Sequence, residues 1–212
     1  ENVFRLKGDW GAARDFSDRG LAWAAKDFRL LATRALLECE TGDFEEGQAY
    51  LERFLEAASL IPPGPTPEHT YTAIVIPLVS RITGVIDRFD ASRSAAETVL
   101  SSPSATPRTV GIARAGVALM AVQRGDGDAA GEQYSALAPA KGALAAPGIS
   151  TDRLLGLLAS AMGKPDDAMA HFEDALAFCR RGHRPEYAWS AFAAAAARLQ
   201  RNGPGDRTKA MS

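Results

Sequence analysis

The chain has 212 residues, a formal net charge of −2 and 46% hydrophobic residues, enough for a packed core and too many for a disordered chain. Acidic and basic residues are interspersed with no basic stripe, which argues against direct nucleic-acid binding. The longest apolar runs, Ala73–Val79 and Ala191–Ala197, fall well short of the roughly 20 residues that cross a bilayer, so no membrane partner is expected.

Alanine, leucine and arginine are abundant, and Val, Ile and Thr are sparse outside one stretch; the prior is an all-α chain. In chain order, Glu1–Lys7 reads as the tail of a first helix, followed by Gly8-Asp9-Trp10 and a second helix from Gly11 to near Trp23. Asp27–Ser59 predicts a helix pair, with Gly42-Asp43-Phe44 as its turn and Leu31, Ala35, Gly47, Leu51 and Phe54 at its packing positions. Ile61–Pro67 is a loop by composition. From His69 to Ser101 a degenerate pair is expected. Ile74, Leu78, Ile82 and Ile86 recur every fourth residue, Pro77 kinks the helix or marks its first turn, and Ala95 or Ala96 is the small residue of the second helix. Thr109–Ala140 repeats the pattern with Ala118, Ala130 and Tyr134. The clearest copy is Thr151–Arg181, with Leu155-Gly156, Ala168, Phe172 and Ala175. Pro185–Arg201 is a further helix, Asn202–Asp206 a long turn, and another helix has barely begun at Ser212.

The turn signals Gly8-Asp9, Gly42-Asp43, Gly125-Asp126, Gly163-Lys164-Pro165-Asp166 and Gly205-Asp206 recur along the chain, the first two 34 residues apart. Glycine ends one helix in a left-handed conformation, and an acid opens the next at the positive end of its dipole. Small residues let paired helices approach closely, and an aromatic such as Phe172 fills the space between pairs. These residues match the tetratricopeptide pattern, so an α-solenoid of antiparallel helix hairpins is expected, a single array with units near 1–25, 27–60, 68–102, 109–142, 151–182 and 185–212. The array reads as starting and stopping inside repeats. Phe4, Leu6 and the Trp189 region are then expected to present apolar surface and to allow self-association through the ends.

The string GLLASAMGKPDDAMAHFEDALAFCRRGHRPEYAW, with LQRNGPGDRTKAMS beyond it, resembles the helical-repeat region of large bacterial signalling regulators. In that group an ATPase module of the AAA or STAND type accompanies the repeats, together with a class III nucleotide cyclase or a LuxR-type DNA-binding domain. The resemblance implies a cytoplasmic module that binds a protein or peptide, with a small-molecule effector as another occupant; the alternative is a stand-alone tetratricopeptide scaffold. No Walker motif, cyclase metal site or helix-turn-helix is readable in the sequence, so those activities transfer to no residue of it.

No enzyme activity, catalytic residue, cofactor or metal site is expected. His69, His171 and His183 are scattered, and His171 stands about two helical turns from Cys179. Asp166-Asp167 and Glu45-Glu46 are helix-opening acids, and Gly125-Asp126-Gly127-Asp128 lacks the lysine and hydroxyl of a phosphate loop. Cys39 and Cys179 read as free thiols of a reducing compartment, the cytoplasm. The remaining candidate is a concave groove lined by the first helix of each pair. It would show Arg29, Ala32 and Leu36, then Ile112, Ala115 and Leu119, then Ser150, Arg153 and Leu157. Of these, Arg29, Leu36, Ile112, Leu119, Arg153 and Leu157 are assigned to binding, a mildly apolar groove carrying two arginines.

Overall fold

Several helices in this chain begin where a short polar side chain can take up a free backbone N–H of the first turn. Asp9 accepts from Ala12, Asp27 from Arg29 and Leu30, Asp43 from Glu46, Asp126 from Ala129 and Ser150 from Arg153, each cap being worth about 1 kcal/mol. Two of them, Phe28–Thr41 and Pro67–Thr83, end where the backbone turns left-handed, at Gly42 (φ 90°) and Gly84 (φ 78°), which glycine does at little steric cost. The structure, a computed structural model, describes residues 2–62, 64–146, 148–180 and 182–211. It is all-α, 77% helix with almost no strand.

The chain divides into two compact units, Glu1–Leu119 and Met120–Ser212. The first contains α1 (Asn2–Lys7), α2 (Trp10–Trp23), α3 (Phe28–Thr41), α4 (Phe44–Ser59), α5 (Pro67–Thr83), α6 (Phe89–Leu100) and most of α7 (Pro107–Arg124). There α1 packs on α2, α2 on α3, α3 on α4 and α5 on α6, and α3 also meets α5. The second contains α8 (Gly127–Leu137), a 3-10 turn at Ala138–Ala140, strands β1 (Leu144–Ala146) and β2 (Ile149–Ser150), α9 (Thr151–Ala161), α10 (Pro165–Cys179), α11 (Arg184–Arg201) and α12 (Asp206–Ala210). Here α8 packs on α9, α9 on α10, α10 on α11 and α11 on α12. The small antiparallel ribbon β1–β2 was not expected from the sequence.

Helices can pack this closely only where the contact lacks a side chain. A Cβ added to Gly156 of α9 would lie 2.5 Å from the ring of Phe172 of α10, and one on Gly47 of α4 would lie 2.5 Å from Cys39 Sγ of α3. Phe172 is buried, as are Ala35, Leu51, Phe54, Ala168 and Ala175 around these crossings. The packing positions expected in Asp27–Ser59 and Thr151–Arg181 are therefore core. One helical expectation needs correction: Ile86 does not continue the stripe of Ile74, Leu78 and Ile82. The helix stops at Thr83, Gly84 turns left-handed and Ile86 is exposed.

Pro77 lies inside α5 and has no N–H to give the carbonyl of Ala73, four residues back. Ser92 of α6, fully buried, donates its hydroxyl to that oxygen at 2.9 Å. The same carbonyl faces Gly116 of α7, where an added Cβ would come within 1.9 Å of it. Around this point Ala73, Ala95, Ala96, Val99 and Ala113 form one apolar cluster. Helix interruption, hydroxyl and glycine thus act on one oxygen. Ser92→Ala should cost about 1–3 kcal/mol by stranding a buried acceptor. Urea denaturation checks this, and a loss no larger than that of an ordinary surface substitution, about 0.5 kcal/mol, would contradict it.

Candidate functional site

Of the six residues assigned to a groove, Arg29 is exposed, its guanidinium 5.2 Å from the centre of the Phe28 ring. Leu36, Ile112, Leu119, Arg153 and Leu157 are buried, together with Ala32, Ala115 and Ser150. The reason is packing on more than one side: α3 meets α2, α4 and α5, and α9 meets α8, α10 and α11. These positions do not form an open surface.

Arg153 belongs to a buried polar knot in the second unit. Its Nη2 lies 2.7 Å from Glu186 Oε2 and its Nε donates to Oε1 at 2.9 Å. That same Oε1 accepts the Ser150 backbone N–H at 2.7 Å. The knot ties the start of α9 to α11. Its counterpart in the first unit centres on Glu38 of α3, buried between two guanidinium groups. Arg14 of α2 grips it with Nε and Nη2 at 3.0 and 2.5 Å, and Arg34 donates its Nε to Glu38 Oε1. Arg34 also reaches Asp18 and lies over the Tyr50 ring, 4.9 Å from its centre. Burial alone would raise the Glu38 carboxyl, but the hydrogen bonds from Arg14 and Arg34 outweigh it and hold the group below its ordinary value. The Arg34–Glu38 spacing of four was visible on one helix face. Arg14 comes from another helix and gave no local signal.

A second polar cluster of the Met120–Ser212 unit joins α8, α9 and α10. Asp152 in the first turn of α9 and His171 in α10 are buried, whereas Asp174 is exposed. One ligand atom from each lies within 4.8 Å of the others. Asp152 Oδ2 accepts the Gly142 N–H at 2.9 Å. The His171 Nε2 meets the Tyr134 hydroxyl at 2.8 Å, while the other ring nitrogen, Nδ1, is buried with no hydrogen-bond partner. Burial, then the nearby Lys141, lowers the His171 pKa against the opposing pull of Asp152, Asp174 and Asp167. Asp174 stands three residues beyond His171, one turn along the same helix face, and is the ligand partner that the scattered histidines of the sequence did not suggest.

The other assigned features are placed as follows. Glu45 and Glu46 open α4, and Asp166 and Asp167 open α10, Asp166 pairing with Arg201 at 3.0 Å. Arg201 also binds Asp206 and holds its carboxyl down to about 2, which fixes the start of α12. Cys39 and Cys179 are free and buried; burial first, then nearby carboxylates, push their thiols up to about 11 and about 12. Two of the open features bear on binding. In the first unit a cleft of about 450 Å³ is lined by Leu55, His69, Thr72, Ser94 and Thr98 among others. In the second, Phe192 and Leu199 of α11 stand 65% and 54% exposed. No helix among the described residues is long and apolar enough to cross a membrane.

Comparison of the chain with family models, with curated proteins and with solved structures gives no match.

The Glu38 knot makes a pH-dependent contribution. A carboxyl depressed by folding stabilises the native state above its unfolded pKa, about 4.3, and loses that contribution as pH falls through the folded value. Glu38→Gln should therefore cost about 1.5–3 kcal/mol at neutral pH, and the gap to the parent should narrow in acid. Denaturant titrations of both proteins between neutral pH and pH about 3 check this; a gap independent of pH would contradict it.

Proposed function

We propose that the chain is a tetratricopeptide-like α-solenoid that binds a protein partner within a bacterial signalling or transcriptional regulator of the cytoplasm. What supports the stacked-repeat reading is the packing of successive helices from α1 to α6 and from α8 to α12, and the side-chain-free crossings at Gly47 and Gly156. The resemblance of Asp152–Ser212 to the repeat regions of such regulators supports the setting. In that setting, occupancy of the repeats would bias the activity of attached effector domains.

The observation that carries the binding role is the outer face of α11. Ala188, Phe192, Ala195 and Leu199 recur at helical spacing, and Ala188, Phe192 and Leu199 are exposed. Trp189 adds its ring edge-on to Phe192, centroids 6.3 Å apart. Phe4, Leu6 and Trp189, read from the sequence as apolar surface, are each half-buried; the exposed stripe falls beside Trp189 rather than on it. An apolar stripe on one helix is a seat for the apolar face of another, which is how repeat units bury their faces against neighbours. The occupant is a partner helix pair, and in the purified protein a second copy supplies it. A small-molecule effector is the second reading, favoured by the volume of the cleft at Leu55, His69 and Thr72, within the size range of ligand pockets.

Sedimentation velocity over two decades of protein concentration tests the reading. Self-association is expected for the parent, and its loss for the double variant Phe192→Glu, Leu199→Glu with an unchanged circular dichroism spectrum. A strictly monomeric parent, or association that survives the double variant, would contradict it.

A further inference from the structure

The cluster of Asp152, His171 and Asp174 sets a buried imidazole with an unsatisfied ring nitrogen beside two carboxylates. A buried imidazole ordinarily satisfies both ring nitrogens. His171 is 3% exposed, and only its Nε2 is engaged, by the Tyr134 hydroxyl; Nδ1 is buried and unpartnered. With the ring proton on Nε2 and donated to the Tyr134 oxygen, Nδ1 carries a bare lone pair. This is the arrangement by which metal-bound histidines are oriented, one ring nitrogen fixed by an oxygen acceptor and the other left for the ion. The two aromatic rings meet edge to face with centroids 5.5 Å apart, which further fixes the imidazole.

The other donors suit a cation. Asp152 is buried and oriented by the Gly142 N–H. Asp174 is exposed and supplies an entry side. The charges facing His171 are Lys141 on one side and Asp152, Asp174 and Asp167 on the other, a net negative surrounding. One imidazole and two carboxylates form a mixed nitrogen–oxygen set that matches zinc or a similar divalent transition ion. Bond lengths of about 2.1 Å put tetrahedral donors about 3.4 Å apart. The donor atoms already lie within 4.8 Å of one another, so an ion draws them together by little more than about 1 Å, and Asp174 is the exposed member of the set.

We propose that Asp152, His171 and Asp174 bind a divalent transition-metal ion of the zinc class, with Tyr134 holding His171 in register and water completing the coordination. Because the ligands come from α9 and α10, ion binding clamps those two helices together, and the Tyr134–His171 hydrogen bond ties α8 to them.

The test is titration of the purified, metal-stripped chain with zinc chloride against a chromophoric chelator, with cobalt(II) as a spectroscopic substitute. One zinc per chain is expected, together with a rise in melting temperature and a cobalt d–d spectrum of tetrahedral intensity. Asp174→Asn, at an exposed position, should leave the fold intact by circular dichroism and weaken zinc at least tenfold. Tyr134→Phe should weaken it by about tenfold through the freed imidazole. The double variant His69→Ala, His183→Ala should bind as the parent does. Absence of uptake by the parent, or affinity unchanged in Asp174→Asn, or affinity lost in the His69, His183 variant, would overturn the proposal.

Discussion

The architecture rests on the distance of closest approach between packed helices. At Gly47, Gly116 and Gly156 a thiol, a backbone carbonyl and an aromatic ring respectively occupy the space where any other residue would put its Cβ. Each contact is possible only for glycine, and each sets how deeply neighbouring side chains interlock. The buried alanines around them, among them Ala35, Ala73, Ala95, Ala96 and Ala168, extend the same close packing. A chain so rich in alanine buries little area per residue, and dense contact compensates through many small dispersion terms. The Pro77 interruption of α5 shows how strictly this holds. The carbonyl it frees is met by Ser92 from one helix while Gly116 of another gives way.

Charged residues inside each unit specify register more than they stabilise. Buried ion pairs recover only part of their desolvation cost, and removing one partner is expensive. Glu38 takes bonds from Arg14 and Arg34, and Glu186 takes them from Arg153 and the Ser150 backbone. A shifted helix would leave a carboxylate or guanidinium buried alone. The same arginines explain why the first helices of the expected repeats expose so little. Arg153, a natural groove residue by its spacing, is used up in holding α9 to α11.

Much of the fold was legible because its signals are local. Gly-Asp turns, capping aspartates and the spacing of Gly156 with Phe172 all act within one helix pair. What escaped involves partners far apart in sequence: Ser92 on the Ala73 carbonyl, Arg14 on Glu38, Glu186 on Arg153. The groove expectation failed for a related reason. Periodicity places Leu36, Leu119 and Leu157 on one face of a helix, yet whether that face is open depends on which other helices cover it. The metal-binding cluster was half legible, since His171 and Asp174 share a helix face, whereas Asp152 reaches them from α9. The apolar stripe of α11 was readable as a region around Trp189, but its exposed members, Phe192 and Leu199, were not.

If close approach at glycine governs the packing, two glycines on the same helix must respond oppositely to one methyl group. Gly111 and Gly116 both lie in α7; a Cβ at Gly111 meets nothing within 4 Å, and one at Gly116 lies 1.9 Å from the Ala73 carbonyl oxygen. Denaturant unfolding of Gly111→Ala and Gly116→Ala is the most direct measurement. The account predicts that Gly111→Ala stabilises by about 0.5–1 kcal/mol through helix propensity, and that Gly116→Ala destabilises by about 1–3 kcal/mol through overpacking. Stabilisation by both substitutions would show that these helices are not held at glycine contacts, and would contradict the account.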